Sequence, residues 1–180
     1  MLTEAQKQAL VDLARRSVVE QVTYGRSAPV PLDVGLPAAS GAFVTIKRCG
    51  QLRGCLGTLE CRGGLAGEVA RCAADAASED PRFPPVAGEE LPELDVEVSV
   101  LGPLEPIPPD PSQVVVGRHG LVAEQGARRG LLLPQVATEW GWTAEQFLRQ
   151  TCVKAGLPGD AWQHGARIYR FEAEVFGESR

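Results

Sequence analysis

Apolar residues recur at Leu10, Leu13, Val18 and Val22, three to five positions apart, and Thr3 with Gln6 precedes them at the spacing of a capping box. The pattern predicts a helix over residues 3–24, stopped by Gly25. Residues 25–40 hold three prolines and no periodicity, and read as an extended connection. "GAFVTIKRCGQLRGCLGTL" places β-branched and aromatic residues on both sides of Cys49-Gly50, so it predicts a hairpin whose second strand ends in "LRGC". Leu65, Val69, Cys72, Ala73 and Ala76 restore helical spacing over 63–77, putting the amino end of a second helix at that motif.

"SEDPRFPPV" then forces an extended path through its prolines. Residues 94–101 alternate, with Leu94, Val96, Val98 and Val100 against Asp95, Glu97, Ser99 and Leu101, as a strand with one core face does. After the proline-rich "GPLEPIPPDPS", residues 113–135 give three short apolar runs divided by glycines, a small meander. A helix is predicted over 140–156, with Thr143 as a cap and Trp140, Trp142 and Phe147 as core. A closing strand follows, alternating Tyr169, Phe171, Ala173 and Val175 against Arg170, Glu172 and Glu174. Helices and strands mix without a βαβ rhythm, which is α+β.

With 180 residues, 44% of them hydrophobic, the chain can bury a core as one domain or two closely fused lobes. A net charge of −5 gives no basic field to attract nucleic acid. Arginines far outnumber the lysines Lys7, Lys47 and Lys154, so local oxyanion recognition stays open. No apolar run approaches the roughly 18 residues of a membrane span. The amino terminus lacks the basic and apolar parts of a secretory signal, and a cytoplasmic protein is expected. Five cysteines, an odd number, argue for free thiols, each of them core, ligand or nucleophile.

Cys49, Cys55 and Cys61 are six apart, too wide for the paired ligands of a zinc site, and no metal centre is expected. The cysteine spacing of a radical iron–sulfur enzyme, a phosphate loop and a dinucleotide fingerprint are absent too, so no cofactor is expected. A thiol nucleophile needs a base, a positive field and donors for developing charge. Cys55 has candidates for each: Arg53 to lower its pKa, backbone amides around Gly54, Leu56 and Gly57 as an anion nest, and His119 as acid or base. The plainer alternative makes Cys55 a small packed residue and Arg53 a surface charge. Arg82 in "DPRF" and Glu97 on the strand 94–101 are further candidates for substrate binding, with ordinary ion pairing as the alternative. His164 reads as an ordinary loop residue.

"GAFVTIK", "LRGCLGTLE", "DPRFPPV", "LDVEVSVL", "VGRHGLV", "GLLLPQVA", "KAGLP" and "IYRFEAEVF", in this order, resemble the AMMECR-type domain family, and within it the proteins of the AmmeMemoRadiSam system. Leu56 departs from the family's usual isoleucine, one apolar isomer for another. The resemblance implies a single AMMECR-type domain over residues 1–180: an antiparallel sheet flanked by helices, a smaller second lobe, and a cleft between lobes near the hallmark loop. It implies no particular reaction. It does imply a Memo-type protein and a radical S-adenosylmethionine enzyme as partners in modifying a small-molecule or macromolecular substrate, either with Cys55 as nucleophile or with the chain as a non-catalytic adaptor or anion-binding module.

Overall fold

The computed structural model describes residues 1–30, 35–61 and 63–178. It is α+β, an antiparallel architecture with flanking helices, and it divides into two compact units. The first holds residues 1–101 and 174–180, the second 102–173. Part of the predicted connection, residues 31–34, lies outside the described residues. Among the described residues no helix is long and apolar enough to cross a membrane.

In the first unit, α1 (Glu4–Tyr24) begins at the predicted capping box, where Thr3 Oγ1 accepts from the Gln6 amide at 3.1 Å and Gln6 Oε1 accepts from the Thr3 amide at 2.9 Å. Such caps stabilise a helix by about 1 kcal/mol. Gly25 ends the helix in the left-handed region at φ 71°. The hairpin forms as β1 (Gly41–Arg48) and β2 (Gln51–Thr58), and its turn residues Cys49 and Gly50 both have positive φ, as a tight hairpin turn requires. β3 (Leu94–Leu101) pairs with the other edge of β1, giving the order β2-β1-β3. Ala42, Val44 and Ile46 of β1 and Leu94, Val96 and Val98 of β3 turn inward onto Leu10, Leu13 and Val18 of α1, and onto Val69, Cys72, Ala73 and Ala76 of α2 (Leu65–Ser78). The small residues of α2 let it settle close against the sheet.

In the second unit, β5 (His119–Gln125) lies between β6 (Arg128–Leu132) and β7 (Arg167–Gly177), and the short β4 (Glu105–Ile107) pairs with β7. Its core gathers Phe147, Leu148 and Cys152 of α4 (Ala144–Lys154) with Leu121, Ala123, Ile168 and Trp162. Thr143 caps α4 as expected, accepting from the Gln146 amide at 3.2 Å.

Several expectations are corrected. The meander has two strands rather than three, because Val114–Val116 follow a 3-10 turn instead of entering the sheet. Pro134 opens a short helix, α3 (Pro134–Trp140), with Pro at a position where a missing N–H costs nothing. Trp140 is exposed and stacked on Trp142 at 6.2 Å between ring centroids, so only Phe147 of the aromatic trio is fully core. In β7, Ile168 is buried and Val175 exposed, so the simple alternation fails.

The motif and the second helix are placed differently as well. "LRGC" does not end the strand but lies inside β2, which runs on to Thr58. The end of α2 that meets it is the carboxyl end, for a Cβ built on Gly54 would stand 2.2 Å from the Ala76 carbonyl oxygen. The half-positive helix terminus expected beside the thiol is replaced by the half-negative one.

Candidate functional site

Val44 and Ile46 face the helices, so Thr45 between them points to the opposite face of the sheet. Thr45 pairs with Cys55 on β2 and with Glu97 on β3. The three therefore stand in one row across three strands. Thr45 Oγ1 and Cys55 Sγ are 3.2 Å apart in a hydrogen bond. Glu97 is salt-bridged to Lys47 at 3.7 Å.

β2 is an edge strand in its own unit, and its outward amide at Cys55 is capped by a side chain. Asp80 Oδ2 accepts that N–H at 3.0 Å. Since amides alternate along an antiparallel ladder, Gly54 and Leu56 turn theirs toward β1. An anion nest at those two residues is therefore excluded, a further correction to the sequence reading. Asp80 also accepts from Arg82 at Nε (3.0 Å) and at a terminal nitrogen (2.7 Å). It is only 5% exposed, and these bonds, Arg82 first, hold its carboxyl well below the usual range despite burial.

Arg53 is the extra residue of a β-bulge, because Ile46 pairs with Gly54 while Lys47 pairs with Leu52. Bulges re-aim side chains. Here the Arg53 guanidinium reaches the buried Glu90 bidentately, at 2.8 and 3.1 Å, and donates to the Pro85 carbonyl at 3.3 Å. Arg53 first, then the Ala87 amide and Arg48, lower the pKa of Glu90 to about 2 against its desolvation. Arg53 and Arg82 both approach the Phe83 ring, at 5.9 and 5.4 Å from its centroid.

The electrostatics at Cys55 differ from expectation. Burial pushes the thiol up, the Thr45 hydrogen bond and Arg82 draw it down, Asp80 and Glu97 push it up again, and the net direction is upward. The cation that acts on the thiol is Arg82, not Arg53. Even so, Cys55 is half-buried among a hydroxyl, carboxylates and a guanidinium, whereas Cys72 and Cys152 are buried in the apolar cores. Gly57, on the face of Cys55, has the Phe43 ring where a Cβ would stand, at 2.3 Å.

His119 belongs to the second unit, where it begins β5 rather than standing on a solvated turn. It is buried, and its Nδ1 accepts from the Val115 N–H at 2.9 Å. Burial first, then Arg170 and Arg118, hold its pKa below the ordinary value. The structure thus brings together Arg53, Gly54, Cys55, Gly57, Arg82 and Glu97 in the first unit and gives His119 partners of its own in the second. Sequence reasoning did not single out Thr45 or Glu90. Thr45 was findable as the polar residue between Val44 and Ile46, but Glu90 had no signal, because only the fold brings it to Arg53.

The AMMECR1 family model matches residues 11–176. A protein of Methanothermobacter thermautotrophicus is 46% identical, the alignment covering 98% of this chain and 96% of that protein. A Thermococcus gammatolerans protein is 50% identical over 94% of this chain and 88% of its own length. The crystal structure of uncharacterized protein PH0010 from Pyrococcus horikoshii superposes with a TM-score of 0.92 at 43% identity, covering 99% of this chain and 94% of that one.

Proposed function

The chain belongs to the AMMECR1 family, and from the cluster around Cys55 we propose that it is an enzyme, or an enzyme component, of a modification pathway in which Cys55 is the reacting thiol. One observation carries this reading. Cys55 is half-buried in a polar shell of Thr45, Asp80 and Arg82 instead of being sealed among apolar side chains. At rest the sulfur is held as a thiol. In the reaction its proton passes through the Thr45 hydroxyl to the Glu97 carboxylate as Sγ bonds to an electrophilic carbon of the substrate. The displaced electron pair leaves with the departing group, or settles on a substrate heteroatom near Arg82. The reading includes the partners implied by the family resemblance, a Memo-type protein and a radical S-adenosylmethionine enzyme. It also includes a cytoplasmic setting, where thiols such as the exposed Cys49 stay reduced.

A non-catalytic adaptor is the second reading, and it too has an observation in its favour. Arg53 and Arg82 are already committed bidentately to Glu90 and Asp80, so the cluster is satisfied with no substrate present. Complementation separates the two. In a strain lacking the gene, Cys55→Ser and Cys55→Ala should fold with nearly unchanged melting temperature and fail to restore the pathway's metabolite profile. Full restoration by both would remove the nucleophile and leave the adaptor.

A further inference from the structure

The second unit holds a cavity of about 280 Å³ lined by Pro103, Glu105, His119, Arg170, Phe171 and Glu172. His119 is only 7% exposed, and accepting the Val115 N–H at Nδ1 leaves its own proton on Nε2. Among the described residues no group accepts from that Nε2–H, and the atom is open to the cavity and not sealed in the core, so the lining offers an accessible donor without a protein acceptor.

The charges around it cancel. Arg170 is bound by both oxygens of Glu105, at 3.1 Å each, and donates to the Gln113 carbonyl at 2.6 Å. Arg118 is paired with Glu172. The Arg170–Glu105 and Arg118–Glu172 pairs thus surround a neutral imidazole, with Arg170 the one arginine in the lining: an anion would meet Glu105 and Glu172, and a cation would meet Arg170. Pro103 supplies apolar wall, while Phe171 adjoins the cavity only along its backbone, its buried ring lying against Gly120 on the other face of the sheet. What remains unmatched is one N–H donor, together with spare carboxylate lone pairs.

We propose that this cavity binds a small, uncharged, planar ligand that carries a carbonyl oxygen beside an N–H, that is, a carboxamide or a lactam. The carbonyl oxygen accepts from His119 Nε2, the ligand N–H donates to Glu105 or Glu172, and the planar group lies against Pro103. The site stands apart from the reading of Cys55, and Cys55→Ser leaves it intact.

The test uses the full chain labelled with nitrogen-15 and two probes of equal shape, nicotinamide and nicotinate. The chain has two histidines, so the exposed His164 serves as an internal reference. Nicotinamide should saturably shift the His119 ring nitrogens and the Gly120 and Phe171 amides, with His164 unmoved, and nicotinate should bind about tenfold more weakly or worse. His119→Asn keeps a side-chain oxygen for the Val115 N–H, but its amide nitrogen stops short of the Nε2 position and no longer reaches the ligand carbonyl, and it should weaken nicotinamide by about tenfold. Glu105 lies on the exposed β4, so Glu105→Gln is a second variant that does not depend on the buried histidine. It leaves Arg170 uncompensated and should shift the preference toward nicotinate. Nicotinate binding as tightly as nicotinamide to the unaltered chain, or no saturable change at His119 up to the probes' solubility, would overturn the proposal.

Discussion

At Cys55 two opposing sets of forces act on one sulfur. Desolvation leads, and Asp80 and Glu97 add to it, while the Thr45 hydroxyl and Arg82 counter without overcoming it. A raised pKa means that the thiolate fraction at neutral pH is smaller than that of a free cysteine, so a limiting alkylating reagent should label Cys55 more slowly than a cysteine peptide. The midpoint of its rate-against-pH curve should lie above the peptide's. The two charges can be separated by substitution. Glu97→Gln removes a negative charge and should move the midpoint down, and Arg82→Gln removes the positive one and should move it up. Mapping labelled sites by mass spectrometry from pH 6 to 10 reads both. A midpoint below that of the peptide would reverse the electrostatic account and restore the depressed pKa expected from the sequence.

The glycines of "LRGCLG" belong to the scale of elements, because each is required by something packed on the strand. Gly54 faces the carboxyl end of α2 and Gly57 lies beneath Phe43. Gly54→Ala would place a methyl group against a backbone carbonyl that cannot move without shifting the last turn of α2. It should cost about 1–3 kcal/mol, seen as a lower midpoint in urea. A variant as stable as the parent would mean that α2 and β2 part easily. The sequence made both elements legible, since α2 has apolar residues at helical spacing and the hairpin has its tight turn at Cys49-Gly50. It could not show which end of α2 meets β2, because periodicity fixes the face of a helix and not the direction in which it crosses a sheet. The error carried a sign, turning an expected positive terminus into a negative one. The bulge at Arg53 was hidden for a related reason: a register slip is a property of two strands, and nothing in "LRGC" alone displays it. Cys55, Arg82 and Glu97 were legible as chemistry-bearing residue types within recognisable segments. Thr45, Asp80 and Glu90 take their roles from contacts 10 to 37 residues away in sequence.

For the molecule as a whole, the buried carboxylates make stability a function of pH. Glu90 falls from an ordinary 4.5 to about 2 on folding, chiefly through Arg53, and Asp80 is lowered through Arg82. A folded-state pKa below the unfolded one contributes stability that is complete above the unfolded value and is lost as pH drops through the folded one. For Glu90 that window runs from about 4.5 down to about 2. The urea midpoint should therefore hold between pH 7 and 5 and then decline steadily. Glu90→Gln supplies the control, because it removes the titrating group while leaving an amide of similar shape. At pH 7 it should destabilise the fold by about 1–3 kcal/mol, since Arg53 loses its charged partner and stays largely buried, while the more exposed Arg48 keeps Glu93. As pH approaches 2 the parent's Glu90 becomes protonated and the two proteins should converge. A gap that stays constant across the titration would show that Glu90 acts through packing and not through its charge.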